Sequence, residues 1–222
     1  MEIHSIVQER SLLKHPFYRL WLQGKLPKEA LQRYTTQYFQ LVAHLPRFIS
    51  AIHSDCADES TRKILLQNLR EEELGEGNGN VAHTRLWLDF AEELGVSVEE
   101  VINAKLLPET KQAVETMRRL CDSSTGEGAA ALYAYESQVP QIAEEKIAGL
   151  KQHYALDSEK ALRFFIVHQE ADKKHGAVWD ALIRKHHDEK CEQSAKEAAE
   201  ALWTMFDGML EAYVPEEIRI AC

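Results

Sequence analysis

The chain has 222 residues, with 26 lysines and arginines against 36 aspartates and glutamates, and a formal net charge of −10. That length, with 45% hydrophobic residues, is enough for one sizeable core, so a single domain over residues 1–222 is expected. The acidic balance argues against a nucleic-acid binder and against an anionic membrane surface as partner, and no apolar run reaches the ~18–20 residues that cross a bilayer.

The first residues, Met1-Glu2-Ile3-His4-Ser5, lack the basic start and apolar core of a signal peptide, so a cytoplasmic protein is expected. A helix is expected from Pro27 through Ser54, with Leu31, Tyr34, Tyr38, Leu41, Leu45, Phe48 and Ile52 at helical spacing and a kink at Pro46. A second helix spans about Ser60 to Glu73. The glycine-rich break Gly75-Glu76-Gly77-Asn78-Gly79-Asn80 follows. His83, Trp87, Phe90 and Leu94 mark the apolar stripe of a third helix, which Gly95 ends. Ser97 and Glu100 form a capping box for a short helix. Pro108 to Cys121 is the next helix, and Asp122 to Gly126 is a turn. Glu127 to Gln152 reads as one helix, bent at Pro140. Asp157 or Ser158 caps another helix, and a last one runs from about Glu189 to Tyr213. Period-two strands are absent, so the fold class is an all-α helical bundle.

The helix after Ser158 carries His168, Asp172 and His175 in a stretch without glycine or proline. Steps of four and seven residues return to nearly the same helical face, so two imidazoles and a carboxylate point one way. Such N and O donors suit a redox-active first-row metal. Three groups are too few to fill a coordination sphere, so others must come from facing helices. Glu136 sits in an otherwise apolar or neutral stretch, Ala129 to Gln138, where a carboxylate is costly to bury without a cation. His83 leads its apolar stripe and should point inward. One of Glu71, Glu72 and Glu73 completes the set, although such a triplet standing alone is usually a solvated helix end. His15, His44, His53, His153, His186 and His187 are read as non-ligands. Cys56, Cys121, Cys191 and Cys222 form no C-x-x-C pair and read as free structural thiols.

Tyr135-Glu136-Ser137-Gln138-Val139-Pro140 and the eight residues from His168 to His175 resemble the heme-oxygenase-like di-metal oxidases. That superfamily also holds the TenA thiaminases and the pyrroloquinoline-quinone synthase PqqC. Within it the chain is most similar to the group typified by chlamydial proteins associating with death domains. The similarity runs from His15-Pro16-Phe17-Tyr18 to the final helix, and is specific at Ala131 to Gln138 and at Glu145-Lys146-Ile147-Ala148-Gly149-Leu150. It implies two metal ions, iron with iron or iron with manganese, and dioxygen as co-substrate. It also implies formation of 4-aminobenzoate for folate synthesis from the protein's own side chains. Residue by residue, the resemblance assigns Tyr18 as the sacrificed ring, Lys146 as the amino donor and Tyr135 as a tyrosine near the metals. Its metal ligands match Glu72, His83, Glu136, His168, Asp172 and His175. The loop between the first glutamate and His83 is longer here than in the chlamydial proteins.

Without the resemblance, Lys146 reads as a surface lysine, ten residues beyond Glu136 or about 15 Å along a straight helix. Tyr18, Tyr34, Tyr38 and Tyr135 are all phenols open to one-electron oxidation. Expected partners are dioxygen and an electron donor, with a homodimer left open. The alternatives are a PqqC-like or di-metal oxidase acting on an external small molecule, and a TenA-like hydrolase. The hydrolase would need a cysteine nucleophile, for which Cys56 and Cys121 are poor candidates. From a different class, a non-enzymatic helical interaction protein would leave the donor set as coincidence.

Overall fold

The computed structural model describes residues 3–186 and 188–220, apart from the side chain of Lys173. Every regular element among them is a helix. Helix α1 (Ile3–Glu9), one 3-10 turn (Leu12–Lys14) and α2 (Pro16–Leu22) precede the first helix expected from the sequence. Their apolar patterns are only one or two turns long, too short to register as a period. Helix α3 (Lys28–Asp55) continues past Pro46, and Pro27 lies just outside it at the N-cap.

Helix α4 (Glu59–Leu74) begins where the Asp58 carboxylate accepts the Thr61 N–H at 2.7 Å. It ends at Gly75, which has φ +67°. A Cβ there would lie 2.2 Å from the Val81 carbonyl oxygen, so only glycine fits. Helices α5 (His83–Glu93), α6 (Val98–Ile102) and α7 (Pro108–Cys121) follow, and Ser97 and Glu100 form the expected capping box.

The expected single helix from Glu127 to Gln152 is two, α8 (Thr125–Glu136) and α9 (Val139–His153). The first starts early because Ser124 accepts the Glu127 N–H at 3.2 Å, which also shortens the expected turn. The second places Pro140 in its first turn, where a missing N–H leaves no helical bond unmade. Gln138 holds the junction. Its amide nitrogen donates to the Ala134 carbonyl and its oxygen accepts the Leu12 N–H, each at 2.8 Å. Ser158 caps α10 (Glu159–Lys185) by accepting the Ala161 N–H at 3.0 Å. Helices α11 (Lys190–Tyr213) and α12 (Glu216–Ile220) complete the order.

Helix α3 packs on α4, α5 and α7, while α10 lies against α5, α8 and α9. Helix α11 covers α7 and α8. The shared interior is rich in aromatic rings, with Trp21, Trp87, Trp179, Phe90 and Phe206 fully buried. Burying a phenylalanine such as Phe90 or Phe206 contributes about 1.5–3 kcal/mol. This packing places α4, α5, α8 and α10 around one polar spot. Among the described residues no helix is long and apolar enough to cross a membrane.

Candidate metal centre

Glu72 of α4, His83 of α5 and His168 of α10 form one group of donors. Glu136 of α8 with Asp172 and His175 of α10 form a second. Within each group the donor atoms lie within 4.8 Å of one another, and all six residues are buried. The His83 and His168 ring centroids are 4.5 Å apart. His83 Nδ1 faces Glu72 Oε2 at 2.8 Å, and His175 Nδ1 faces Asp172 Oδ1 at 3.2 Å and Glu136 Oε2 at 3.4 Å. The helical face predicted from positions 168, 172 and 175 therefore spans both groups.

The donors are prepared for cations. Glu72 Oε1, Glu136 Oε1, both Asp172 oxygens, His83 Nδ1 and His175 Nδ1 are buried with no aligned hydrogen-bond partner. A protein interior leaves few such atoms unsatisfied, and here they converge. Burial pushes the Glu72 carboxyl up to about 7 and that of Asp172 up to about 6, and it drives His83 down to about 4. Carboxylates and imidazoles packed this way fit two first-row metal ions.

Other contacts orient the donors. His168 Nδ1 lies 2.6 Å from the Phe164 carbonyl, which fixes the proton there and frees Nε2. His175 Nε2 lies 3.0 Å from Glu71 Oε2. The Trp179 indole N–H donates to Glu136 Oε2 at 2.8 Å. Of the glutamate triplet, Glu72 is buried among the donors, Glu71 is half-buried beside His175, and Glu73 is exposed. The sequence reading missed the contacts of Glu71 and Trp179. Trp179 lies four residues after His175, one turn along the same face, and that spacing was the available signal.

Next to the donors lies a buried cluster of phenols. Tyr38 and Tyr135 share a hydroxyl–hydroxyl hydrogen bond of 2.9 Å. Burial raises the pKa of both, and the nearby Asp172 and Glu136 carboxylates raise it further. Lys146 is not a surface residue. The break before α9 turns it inward, and it is 3% exposed. Its Nζ lies 2.6 Å from Tyr34 Oη, and about 5 Å from the ring centroids of Tyr18, Tyr34 and Tyr38. Burial lowers its pKa well below the usual lysine value. Tyr18 is also fully buried.

His15, His44, His53, His153 and His186 belong to neither donor group. His15 instead caps α2, accepting the Phe17 N–H at 3.0 Å. Cys56, Cys121 and Cys191 are free and buried, and burial pushes the Cys121 thiol upward, against a nucleophilic role. His187 and Cys222 lie outside the described residues.

A family model described as iron-containing redox enzyme matches residues 32–208. The 4-aminobenzoate synthase of Nitrosomonas europaea is 40% identical over 227 residues, covering 96% of this chain and 91% of the relative. That of Chlamydia pneumoniae is 36% identical over 214 residues, covering 94% of this chain and 93% of the relative. Pyrroloquinoline-quinone synthases of Acinetobacter align more distantly, at 25–26% identity. Among solved structures, a TenA homolog from Pseudomonas syringae superposes with a TM-score of 0.79 at 15% identity, over 93% of this chain and 89% of the other. At that identity the likeness speaks for the fold alone.

Proposed function

We propose a function from one premise: the chain belongs to the iron-containing redox enzymes and, within them, to the family of the 4-aminobenzoate synthases. The protein is an oxidase that makes 4-aminobenzoate from its own side chains. Tyr18 supplies the ring and Lys146 the nitrogen. The observation that carries this reading is the position of Lys146. A lysine without a carboxylate partner sits among the rings of Tyr18, Tyr34 and Tyr38, and Tyr38 is hydrogen-bonded to Tyr135 beside Glu136. A structural lysine would be expected to reach solvent or an acidic partner.

Glu72, His83 and His168 would hold one metal ion, and Glu136, Asp172 and His175 the other. Iron with iron, or iron with manganese, supplies the redox capacity for dioxygen use when bound. The surrounding residues do the rest. Trp179 and Glu71 fix the orientation of Glu136 and His175. The Tyr38–Tyr135 hydroxyl pair offers a short route for a proton between the donor groups and the phenol cluster. Burial lowers the Lys146 pKa and so favours the uncharged amine, whose lone pair bond formation requires, and Nζ is held in place by donating to Tyr34 Oη. The aromatic walls exclude water from both.

We take residues 1–222 as one domain that works in the cytoplasm with dioxygen and an electron donor, and we place its product in folate synthesis. The test is the intact mass of reduced, metal-loaded protein before and after exposure to air. Loss of a tyrosine side chain, with 4-aminobenzoate carrying label from protein tyrosine, is the expected result. Unchanged protein mass with continued oxidation of an added small molecule would replace this reading with oxidation of an external substrate.

A further inference from the structure

We propose that Asn78, in the glycine-rich loop, is the positioning residue of His83. Its carboxamide oxygen holds the His83 Nε2 proton and so presents Nδ1 to a metal ion. This rests on the metal-centre reading above and adds to it a residue that touches no metal.

The carboxamide of Asn78 has three neighbours. Two are the backbone carbonyls of Gly75 and Val81, at 2.9 and 3.1 Å, and the third is His83 Nε2 at 2.9 Å. Carbonyl oxygens only accept, so the amide nitrogen faces them and the amide oxygen faces the imidazole. An oxygen at Nε2 requires a proton there. The other ring nitrogen, Nδ1, then carries the lone pair, and it is the atom that faces Glu72 Oε2 at 2.8 Å. A metal ion placed between two such lone-pair atoms is bound by both. A metal-binding histidine generally donates its second ring N–H to a fixed acceptor, which sets both tautomer and ring orientation. His168 has the Phe164 carbonyl for this and His175 has Glu71. Asn78 is the corresponding group for His83.

The loop is built to hold that side chain still. Gly77, Gly79 and Asn80 take positive φ values of +84°, +88° and +59°, which curl the chain back on itself. The N–H groups of Asn78 and Asn80 both donate to the Gly75 carbonyl at 3.0 Å. From α10, the helix that carries His168, the Arg163 guanidinium donates to the Asn78 carbonyl at 2.8 Å. The loop is thereby tied to a helix that contributes to both donor groups.

Two variants separate positioning of His83 from upkeep of the loop. Asn78→Ala loses all three side-chain hydrogen bonds. Asn78→Asp keeps an oxygen facing Nε2 but replaces the two donated bonds by repulsion between its second oxygen and the Gly75 and Val81 carbonyls, so it disturbs the loop more than Asn78→Ala does. Manganese(II) alone is titrated into each full-length protein and free ion is followed by electron paramagnetic resonance. The wild type should bind two ions. Asn78→Ala should bind one of them about 10- to 100-fold more weakly, while Asn78→Asp stays within about threefold of wild type. A carboxylate could attract the ion by charge alone, so a second readout is needed. In zinc-loaded protein labelled with [15N]histidine, the Nε2 proton of His83 should resist exchange in wild type and Asn78→Asp and lose that protection in Asn78→Ala. Unchanged manganese affinity in Asn78→Ala, or an equal loss in both variants, overturns the proposal while leaving the metal centre intact. A wild type that binds no ion overturns both.

Discussion

The ε-amino nitrogen of Lys146 lies 2.6 Å from the phenolic oxygen of Tyr34, inside the helical fold and away from water. Around it stand the rings of Tyr18, Trp21, Tyr34, Tyr38 and Phe165, each with its centroid within 5.5 Å. Ring faces attract a cation, worth about 2 kcal/mol when desolvated. Loss of hydration from a buried ammonium costs several kcal/mol. The second effect is the larger, so burial shifts the amine toward its neutral form, in agreement with its lowered pKa. A neutral amine is the form that can bond to carbon.

Burial of this lysine should be visible in stability. In the unfolded chain Lys146 binds a proton below its ordinary pKa of 10.5, and in the fold it does so only at much lower pH. Between those limits the unfolded state holds more protons, so stability rises with pH and the gain ends near 10.5. Lys146→Met removes the group from both states. At neutral pH the variant should be more stable than wild type, by on the order of 1.4 kcal/mol for each tenfold loss of proton affinity that burial imposes on the lysine down to that pH. Loss of the Tyr34 partner offsets part of that. The advantage should shrink as pH rises toward 10. Urea unfolding from pH 7 to 10 checks it, and parallel curves for the two proteins would falsify the burial argument.

The metal centre predicts a trade between stability and binding. Both Asp172 oxygens lack an aligned hydrogen bond, as do one oxygen each of Glu72 and Glu136, although His175 Nδ1 lies 3.2 Å from Asp172 Oδ1. Without metal ions three buried carboxylates share a water-poor site, and His175, whose pKa Asp172, Glu136 and Glu71 raise against the effect of burial, offsets only part of their repulsion. Asp172→Asn removes one of the charges, so the metal-free variant should melt above metal-free wild type, with a gain of roughly 1–3 kcal/mol. Metal should then raise the melting temperature of wild type but not of the variant. Asp172→Ala and Glu136→Ala should lose most bound metal, and His15→Ala and His53→Ala should keep it. Full metal occupancy in Asp172→Ala would dismiss the donor set.

Much of this arrangement was legible in the sequence because it depends on local periodicity. His168, Asp172 and His175 share a face through helical geometry alone, and a lone carboxylate at Glu136 stands out in an apolar stretch. The choice among Glu71, Glu72 and Glu73 could not be read from their spacing, because three consecutive helical residues fan across about 200° and only the packing decides which is buried. Without the resemblance Lys146 passes for a surface lysine, for a different reason. A straight helix through Pro140 would carry it away from Glu136, and the break at Ser137-Gln138 depends on a hydrogen bond from Leu12, far away in sequence. The first two helices were missed because their order comes from contacts with α8, α9 and α11 rather than from their own pattern.

Packing around α8 gives a test of the fold independent of chemistry. A Cβ on Gly128 would lie 2.6 Å from Ile52 Cγ1 and 3.2 Å from the Cys121 backbone. Gly128→Val should therefore strain the contact between α8 and α3 and destabilise by about 1–3 kcal/mol. For a chain of this size each kcal/mol corresponds to roughly 2–4 °C in melting temperature. Gly128 lies eight residues before Glu136, so the folded variant should still bind two metals. A melting temperature at or above that of wild type would mean that α8 is not packed this closely.

The self-modifying reaction makes the sharpest demand, because it assigns separate fates to two side chains. The gene should restore growth without 4-aminobenzoate to a bacterium that lacks its usual synthases. Tyr18→Phe keeps a ring of nearly the same volume in the same buried place but removes the phenol that one-electron oxidation requires, so it should bind metal normally and fail to support growth. Lys146→Arg keeps a basic side chain but cannot give up a single amine nitrogen, and a guanidinium stays charged at a place where burial disfavours charge. It should also fail, with some loss of stability. Normal growth on Tyr18→Phe would exclude Tyr18 as the source of the ring, and Tyr34, whose hydroxyl touches the same nitrogen, would be the next phenol to test.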